Sequence, residues 1–134
     1  MKAFWRAWRD APCQDPAAAH SLGLRLAEQG DIDGAREAYR QAVNSGHPEY
    51  APVAARRLGQ LNVRVSRYRQ AYEAFQIAID SGHPDAAPWA MVDLGDLIRD
   101  SLYPENARPW YQKAVDSGHP EAGRRAARHL ADFS

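Results

Sequence analysis

The sequence predicts an all-α fold, an α-solenoid of three helix-turn-helix units followed by a C-terminal capping helix. The first observation is the string Ser-Gly-His-Pro-Glu at 45–49, which recurs at 81–85 (ending in Asp) and at 117–121, at a period of 36 residues. Within each period apolar residues have helical spacing, as at Ala71, Phe75 and Ala78. Alanine, the best helix former, supplies 25 of the 134 residues.

Other positions share this period and define the units. A Leu-Gly pair occurs at 22–23, 58–59 and 94–95, and Leu-Ala follows at 130–131. Each Leu-Gly pair is followed by an alanine, an aromatic residue and a second alanine: Ala35, Tyr39 and Ala42; Ala71, Phe75 and Ala78; Ala107, Tyr111 and Ala114. We therefore expect units at about 16–48, 52–84 and 88–120.

Proline and glycine predict where the helices begin and end. Helix A of each unit should begin near Pro16, Pro52 or Pro88, because proline is tolerated in the first turn. Helix B should end at the Ser-Gly-His-Pro turn, where glycine adopts the left-handed conformation and the histidine caps the preceding helix. In unit three, Pro109 falls in the first turn of helix B if Asn106 is the N-cap.

The two ends of the chain differ from the units. Residues 1–14 form an N-terminal segment, which we interpret as a degenerate repeat helix that packs Phe4, Trp5 and Trp8 onto the first A helix. Residues 15–134 form the repeat domain, and its last part, 121–133, repeats helix A as a cap. In this cap we expect Ala126, Ala127, Leu130 and Phe133 to face inward and Arg124, Arg125 and Arg128 to face solvent.

The spacing of Leu-Gly, alanine, aromatic and alanine resembles the tetratricopeptide repeat over residues 16–133. The resemblance implies a right-handed solenoid whose A helices line a concave groove. The period of 36 departs from the usual length of about 34 residues. The large residue expected three positions before Leu-Gly is Ala19, Ala55 or Met91. Sel-type relatives share the Gly-His-Pro turn, but they insert more residues between helices A and B.

Composition and charge exclude several classes of protein. The 17 basic and 17 acidic residues give a net charge of zero, which disfavours binding to nucleic acid. An RNA-binding helical repeat is therefore only a remote alternative. No apolar run is long enough to span a membrane, and Arg6, Arg9 and Asp10 interrupt any secretory segment. We expect a cytoplasmic protein that does not bind membranes.

The sequence carries no recognisable catalytic or cofactor motif. It lacks a glycine-rich phosphate loop, a His-Glu-x-x-His motif and a nucleophile elbow. Its single cysteine, Cys13, excludes an internal disulfide and a multi-cysteine zinc site. The turn histidines of neighbouring units should lie roughly 10 Å apart, too far to share one metal ion. We expect no enzyme activity, no cofactor and no metal.

The resemblance also implies which residues line the groove, here called the predicted groove residues. They are His20 and Leu24 in unit one, Arg56, Gln60 and Arg64 in unit two, Trp89, Val92, Asp96 and Arg99 in unit three, and Arg128 in the cap. An alternative interpretation pairs Arg57 with Asp93 and Arg64 with Asp100 in a ladder between neighbouring helices. The carboxylate clamp of chaperone-binding members is absent, since its positions hold His20, Leu24, Val92 and Asp96.

These observations predict a non-catalytic interaction scaffold, which presents a concave groove to a peptide or helix of a partner protein. The alternative is a self-association module that forms a homo-oligomer through Trp5, Trp8 or the C-terminal cap.

Overall fold

The prediction of an all-α fold is confirmed. A computed structural model describes residues 15–133, and these residues form seven α-helices, one short 3-10 helix and no strand. The helices are α1 (Pro16–Glu28), α2 (Ile32–Asn44), α3 (Tyr50–Arg64), α4 (Tyr68–Asp80), α5 (Ala86–Arg99), α6 (Arg108–Asp116) and α7 (Pro120–Ala131), with the 3-10 helix at Pro104–Ala107. None of these described helices is both long and apolar enough to cross a membrane. The N-terminal segment with Trp5 and Trp8 lies outside the described residues.

The helices pack in chain order. Each helix contacts the next, and α1, α3, α5 and α7 also contact one another in succession. Within residues 15–133 the even-numbered helices α2, α4 and α6 make no such contacts with each other. The buried side chains form three successive clusters. The fold is therefore repeat-like, with a core that extends along the chain.

The repeated glycine and aromatic residue form one packing unit. The rings of Tyr39, Phe75 and Tyr111 lie against the glycines of the preceding helix, 16 residues earlier in each unit. A Cβ atom on Gly59 would lie 2.4 Å from Cε1 of Phe75, whereas carbon atoms in contact are about 3.5–4.0 Å apart. Any side chain at this position would overlap the aromatic ring, so only glycine fits there. Where no further helix follows among the described residues, the corresponding position is Ala131, and it is exposed.

The Ser-Gly-His-Pro turns end the even-numbered helices. Their glycines, Gly46, Gly82 and Gly118, have φ angles of +68°, +71° and +79°, which favour glycine. In the second turn the hydroxyl of Ser81 donates to the carbonyl of Ala78 (2.6 Å) and accepts from the backbone N–H of His83 (3.1 Å). The serine and the glycine together complete the end of the helix.

The histidine of each turn caps the following helix, so the expectation that it caps the preceding one was wrong. Nδ1 of His83 accepts the backbone N–H groups of Asp85 (3.2 Å) and Ala86 (3.0 Å). His47 and His119 accept equivalent N–H groups at the start of α3 and α7. The preceding helix already has its serine and glycine, while the next helix begins with N–H groups that lack partners.

The acidic residue of the motif joins consecutive turns. Nε2 of His83 lies 2.9 Å from Oε2 of Glu49, and Nε2 of His119 lies 3.0 Å from Oδ1 of Asp85. His83 and His119 therefore each use one ring nitrogen to cap the following helix and the other to contact the preceding turn. This double role explains why histidine and an acidic residue recur together.

The third unit and the cap depart from the expected details. Helix α6 begins at Arg108 with Pro109 in its first turn, but its N-cap is Ala107, the last residue of the 3-10 helix, and not Asn106. In α7 the buried alanines are Ala122 and Ala126, whereas Ala127 is exposed, so its inward placement was wrong. The three arginines of α7 are exposed, as predicted: Arg124, Arg125 and Arg128.

Candidate partner-binding surface

The predicted groove residues all lie on the odd-numbered helices, which contact one another. The helices α1, α3, α5 and α7 carry two, three, four and one of them, respectively. These residues nevertheless differ in burial and in bonding. The structure brings some together in ion pairs, leaves others exposed and buries one.

Arg56 forms the closest ion pair between α3 and α5. Its Nε donates to Oδ2 of Asp93 at 2.6 Å, and Gln60 Nε2 lies 3.5 Å from the same oxygen. The side chains of Arg56 and Asp93 are only 22% and 17% exposed. Burial raises the pKa of Asp93, and the hydrogen bond and positive charge of Arg56 oppose that rise only in part. The guanidinium of Arg56 is therefore already bound to a carboxylate of the same chain.

The alternative ladder is wrong in both of its pairs. Asp93 binds Arg56 in place of Arg57, which is exposed. One residue along a helix turns a side chain by about 100°, so only one of two adjacent arginines can face α5. Asp100 lies 3.7 Å from Arg99, and Arg64 forms no ion pair with any described residue.

Trp89 lies between two arginines. The guanidinium of Arg56 is 5.3 Å from its ring centroid, and that of Arg125 in α7 is 5.6 Å from it. His119 meets the same indole edge-on at 5.9 Å. The half-buried indole therefore connects α3, α5 and the cap, through cation–π contacts of moderate strength.

Asp96 and Arg99 belong to a polar cluster between α5, α6 and α7. The hydroxyl of Tyr111 donates to Oδ1 of Asp96 at 2.6 Å, and His129 Nε2 lies 3.6 Å from the same oxygen. Arg99 Nη1 is 3.0 Å from His129 Nδ1 and 3.7 Å from Asp96. Burial and the bond to Asp96 raise the pKa of Tyr111. Both groove residues thus already have partners within the chain.

Val92 is 1% exposed and packs in the third core cluster, so its assignment to the groove surface was wrong. The accessible side of α5 carries Trp89, Asp93 and Asp96, and Asp100 follows at its C-cap. Val92 precedes Asp93 by one residue, which turns its side chain by about 100° away from this side.

In unit one, His20 is half-buried against two tyrosines. Its ring centroid lies 6.1 Å from that of Tyr39 and 6.2 Å from that of Tyr50, and its buried Nε2 has no hydrogen-bond partner among residues 15–133. Burial, with a smaller contribution from the charge of Arg57, lowers the pKa of His20. The protonated form is therefore disfavoured in the folded protein.

Leu24, Gln60 and Arg64 border a recess of about 240 Å³ between α1, α2 and α3. The recess also exposes Arg57. Like Arg64, Arg128 is exposed and forms no ion pair with a described residue. A partner can therefore contact these cations without displacing an ion pair to any residue that the structure describes.

A larger recess, the α4–α5 cleft, was missed in the sequence. It has a volume of about 1010 Å³ and is lined by residues of α3, α4, α5 and the turn after α5. Tyr68, Tyr72 and Leu102 in its wall are 54%, 43% and 88% exposed. A comparison of equivalent repeat positions could have indicated this cleft. Leu102, a large apolar residue, occupies the turn position that holds Gly30 in unit one and Ser66 in unit two.

In comparisons with known proteins, no family model and no curated protein matches this chain.

Proposed function

We propose that this protein is a non-catalytic interaction scaffold: a right-handed α-solenoid of tetratricopeptide-like hairpins that binds a peptide or helix of a partner protein. The observation that carries the proposal is the α4–α5 cleft, about 1010 Å³ in volume, with three large apolar side chains exposed in its wall. Exposed apolar clusters of this kind are typical of protein interaction sites.

The packing supports a solenoid. The same glycine–aromatic contact occurs in all three units, and each odd-numbered helix contacts the next odd-numbered helix. A stack built in this way presents one helix of every pair along a common surface. Arg57 and Arg64 lie on a helix of that surface and form no ion pair with a described residue. The helices α3 and α5 of the same surface supply one wall of the α4–α5 cleft.

Site-specific photocross-linking tests the proposal. A benzophenone amino acid replaces Tyr68, an aromatic residue that is 54% exposed in the wall of the α4–α5 cleft. The matched control places it at Gln112, an exposed residue of α6 that lines neither the smaller recess nor the α4–α5 cleft. On irradiation in the cells that produce the protein, we expect a defined adduct from position 68 and none from position 112.

The adduct distinguishes the two functions. An adduct that contains the chain and a different protein, identified by its mass, supports the scaffold function. An adduct with twice the mass of the chain, together with a dimer in sedimentation, supports the self-association function instead. Absence of an adduct at position 68, or equal adducts at both positions, contradicts the proposed surface.

A further inference from the structure

The two junctions between successive units can be compared position by position, because they are related by 36 residues. At the junction of units one and two, two separate recesses have volumes of about 240 and 290 Å³. At the junction of units two and three, most of the equivalent positions line one continuous cleft of about 1010 Å³. The second junction therefore contains one continuous cleft, whereas the first contains two separate recesses.

A pair of substitutions in the repeat accounts for this difference. At the first junction, Nε of Arg36 donates to Oδ1 of Asn62 at 3.0 Å, and both residues are buried. The equivalent positions at the second junction are Tyr72 and Ile98, which line the cleft. The buried polar bridge is thus replaced by two side chains that leave an apolar opening, with Tyr72 still 43% exposed.

The charge of the surface reverses at the same junction. Arg57 and Arg64 border the first recess, and the residues 36 positions later, Asp93 and Asp100, border the α4–α5 cleft. Asp93 is held by Arg56, whereas Asp100 lies 3.7 Å from Arg99 with its side chain still 77% exposed. Glu73 adds a second exposed carboxylate on the opposite wall, 3.7 Å from Arg69. The rim is consequently acidic while the interior is apolar.

We infer that the α4–α5 cleft binds a basic segment of a partner protein, which inserts one large apolar side chain among Tyr68, Tyr72 and Leu102. Its flanking lysine or arginine residues lie against Asp100 and Glu73. This inference rests on the proposed scaffold function and specifies the chemistry of the partner. Burial of an apolar anchor supplies affinity, and opposite charges at the rim supply selectivity and rapid association.

Selection from a random dodecapeptide phage library on the immobilised full chain tests the inference without a known partner. We expect the selected peptides to combine lysine or arginine with a large apolar residue. Their binding is then measured by fluorescence anisotropy with Leu102→Ser and Asp100→Arg, at two exposed positions of the cleft. Each variant should weaken binding about tenfold or more, and added salt should weaken it further.

Two variants outside the cleft are the matched controls. Ile77→Ser removes an apolar side chain that is 47% exposed on α4, and Asp116→Arg reverses an exposed charge at the end of α6. Neither residue lines the α4–α5 cleft, so neither should change binding. Melting temperatures of all four variants verify that the chain remains folded.

The outcomes separate this inference from the proposed function. Selected peptides without a basic excess, or peptides unaffected by Leu102→Ser and Asp100→Arg, overturn the inference. If such peptides instead lose binding to the double variant Arg57→Glu/Arg64→Glu, the scaffold function stands with a different site. If no peptide is selected above the background of uncoated beads, both proposals fail.

Discussion

Replacement of Gly59 by alanine tests the glycine–aromatic contact that recurs in every unit. A Cβ atom would lie 2.4 Å from Cε1 and 2.5 Å from Cδ1 of Phe75, a ring that is 1% exposed. Alanine would otherwise stabilise a helix interior by about 0.5–1 kcal/mol relative to glycine. Overpacking of a core costs about 1–3 kcal/mol, so we expect a net loss of about 1–2 kcal/mol in the free energy of unfolding.

Gly123→Ala is the matched control, because Gly123 also lies within a helix but its added Cβ would have no neighbour closer than 3.8 Å. This variant should gain about 0.5–1 kcal/mol. Urea denaturation followed by circular dichroism measures both changes. A double-mutant cycle with Phe75→Leu should show a favourable coupling of about 0.5–3 kcal/mol, since the smaller side chain admits the methyl group. Equal stabilisation by Gly59→Ala and Gly123→Ala would refute the packing argument.

Three further variants test single residues. Ser66 has a φ of +61°, so Ser66→Gly should raise the unfolding free energy by about 1 kcal/mol in chemical denaturation, and an unchanged midpoint would contradict strain there. Tyr111→Phe removes the bond to Asp96 and should cost about 1.5–3 kcal/mol, more than Tyr39→Phe, whose hydroxyl bonds to no described residue; equal costs would contradict the role of that bond. The lowered pKa of His20 means that the unfolded chain binds the proton more tightly, so stability is lost as the pH falls through the ordinary value of 6.5. His20→Phe should lose less stability between pH 7.5 and 5.5 in thermal melts, and an identical pH dependence would rule this out.

Several features of the fold follow from local chemistry and could be predicted from the sequence. The 36-residue recurrence predicted the all-α fold, and the left-handed glycines and the prolines predicted the turns and the starts of the helices. Ala71, Phe75 and Ala78 have the helical spacing of apolar residues noted in the sequence, and all three are buried. These features depend on backbone conformation and on spacing along one helix, which neighbouring residues determine.

Other features depend on which face of a helix meets its neighbour, and only the tertiary structure decided them. Arg56, and not Arg57, pairs with Asp93, and Val92 lies in the core, because one residue along a helix changes the direction of a side chain by about 100°. The α4–α5 cleft likewise depends on how α4, which carries Tyr72, packs against α5, which begins 14 positions after Tyr72. A repeat in the sequence therefore determined which positions are equivalent. The contacts between helices determined whether the side chains at equivalent positions form ion pairs, lie in the core or are accessible to a partner.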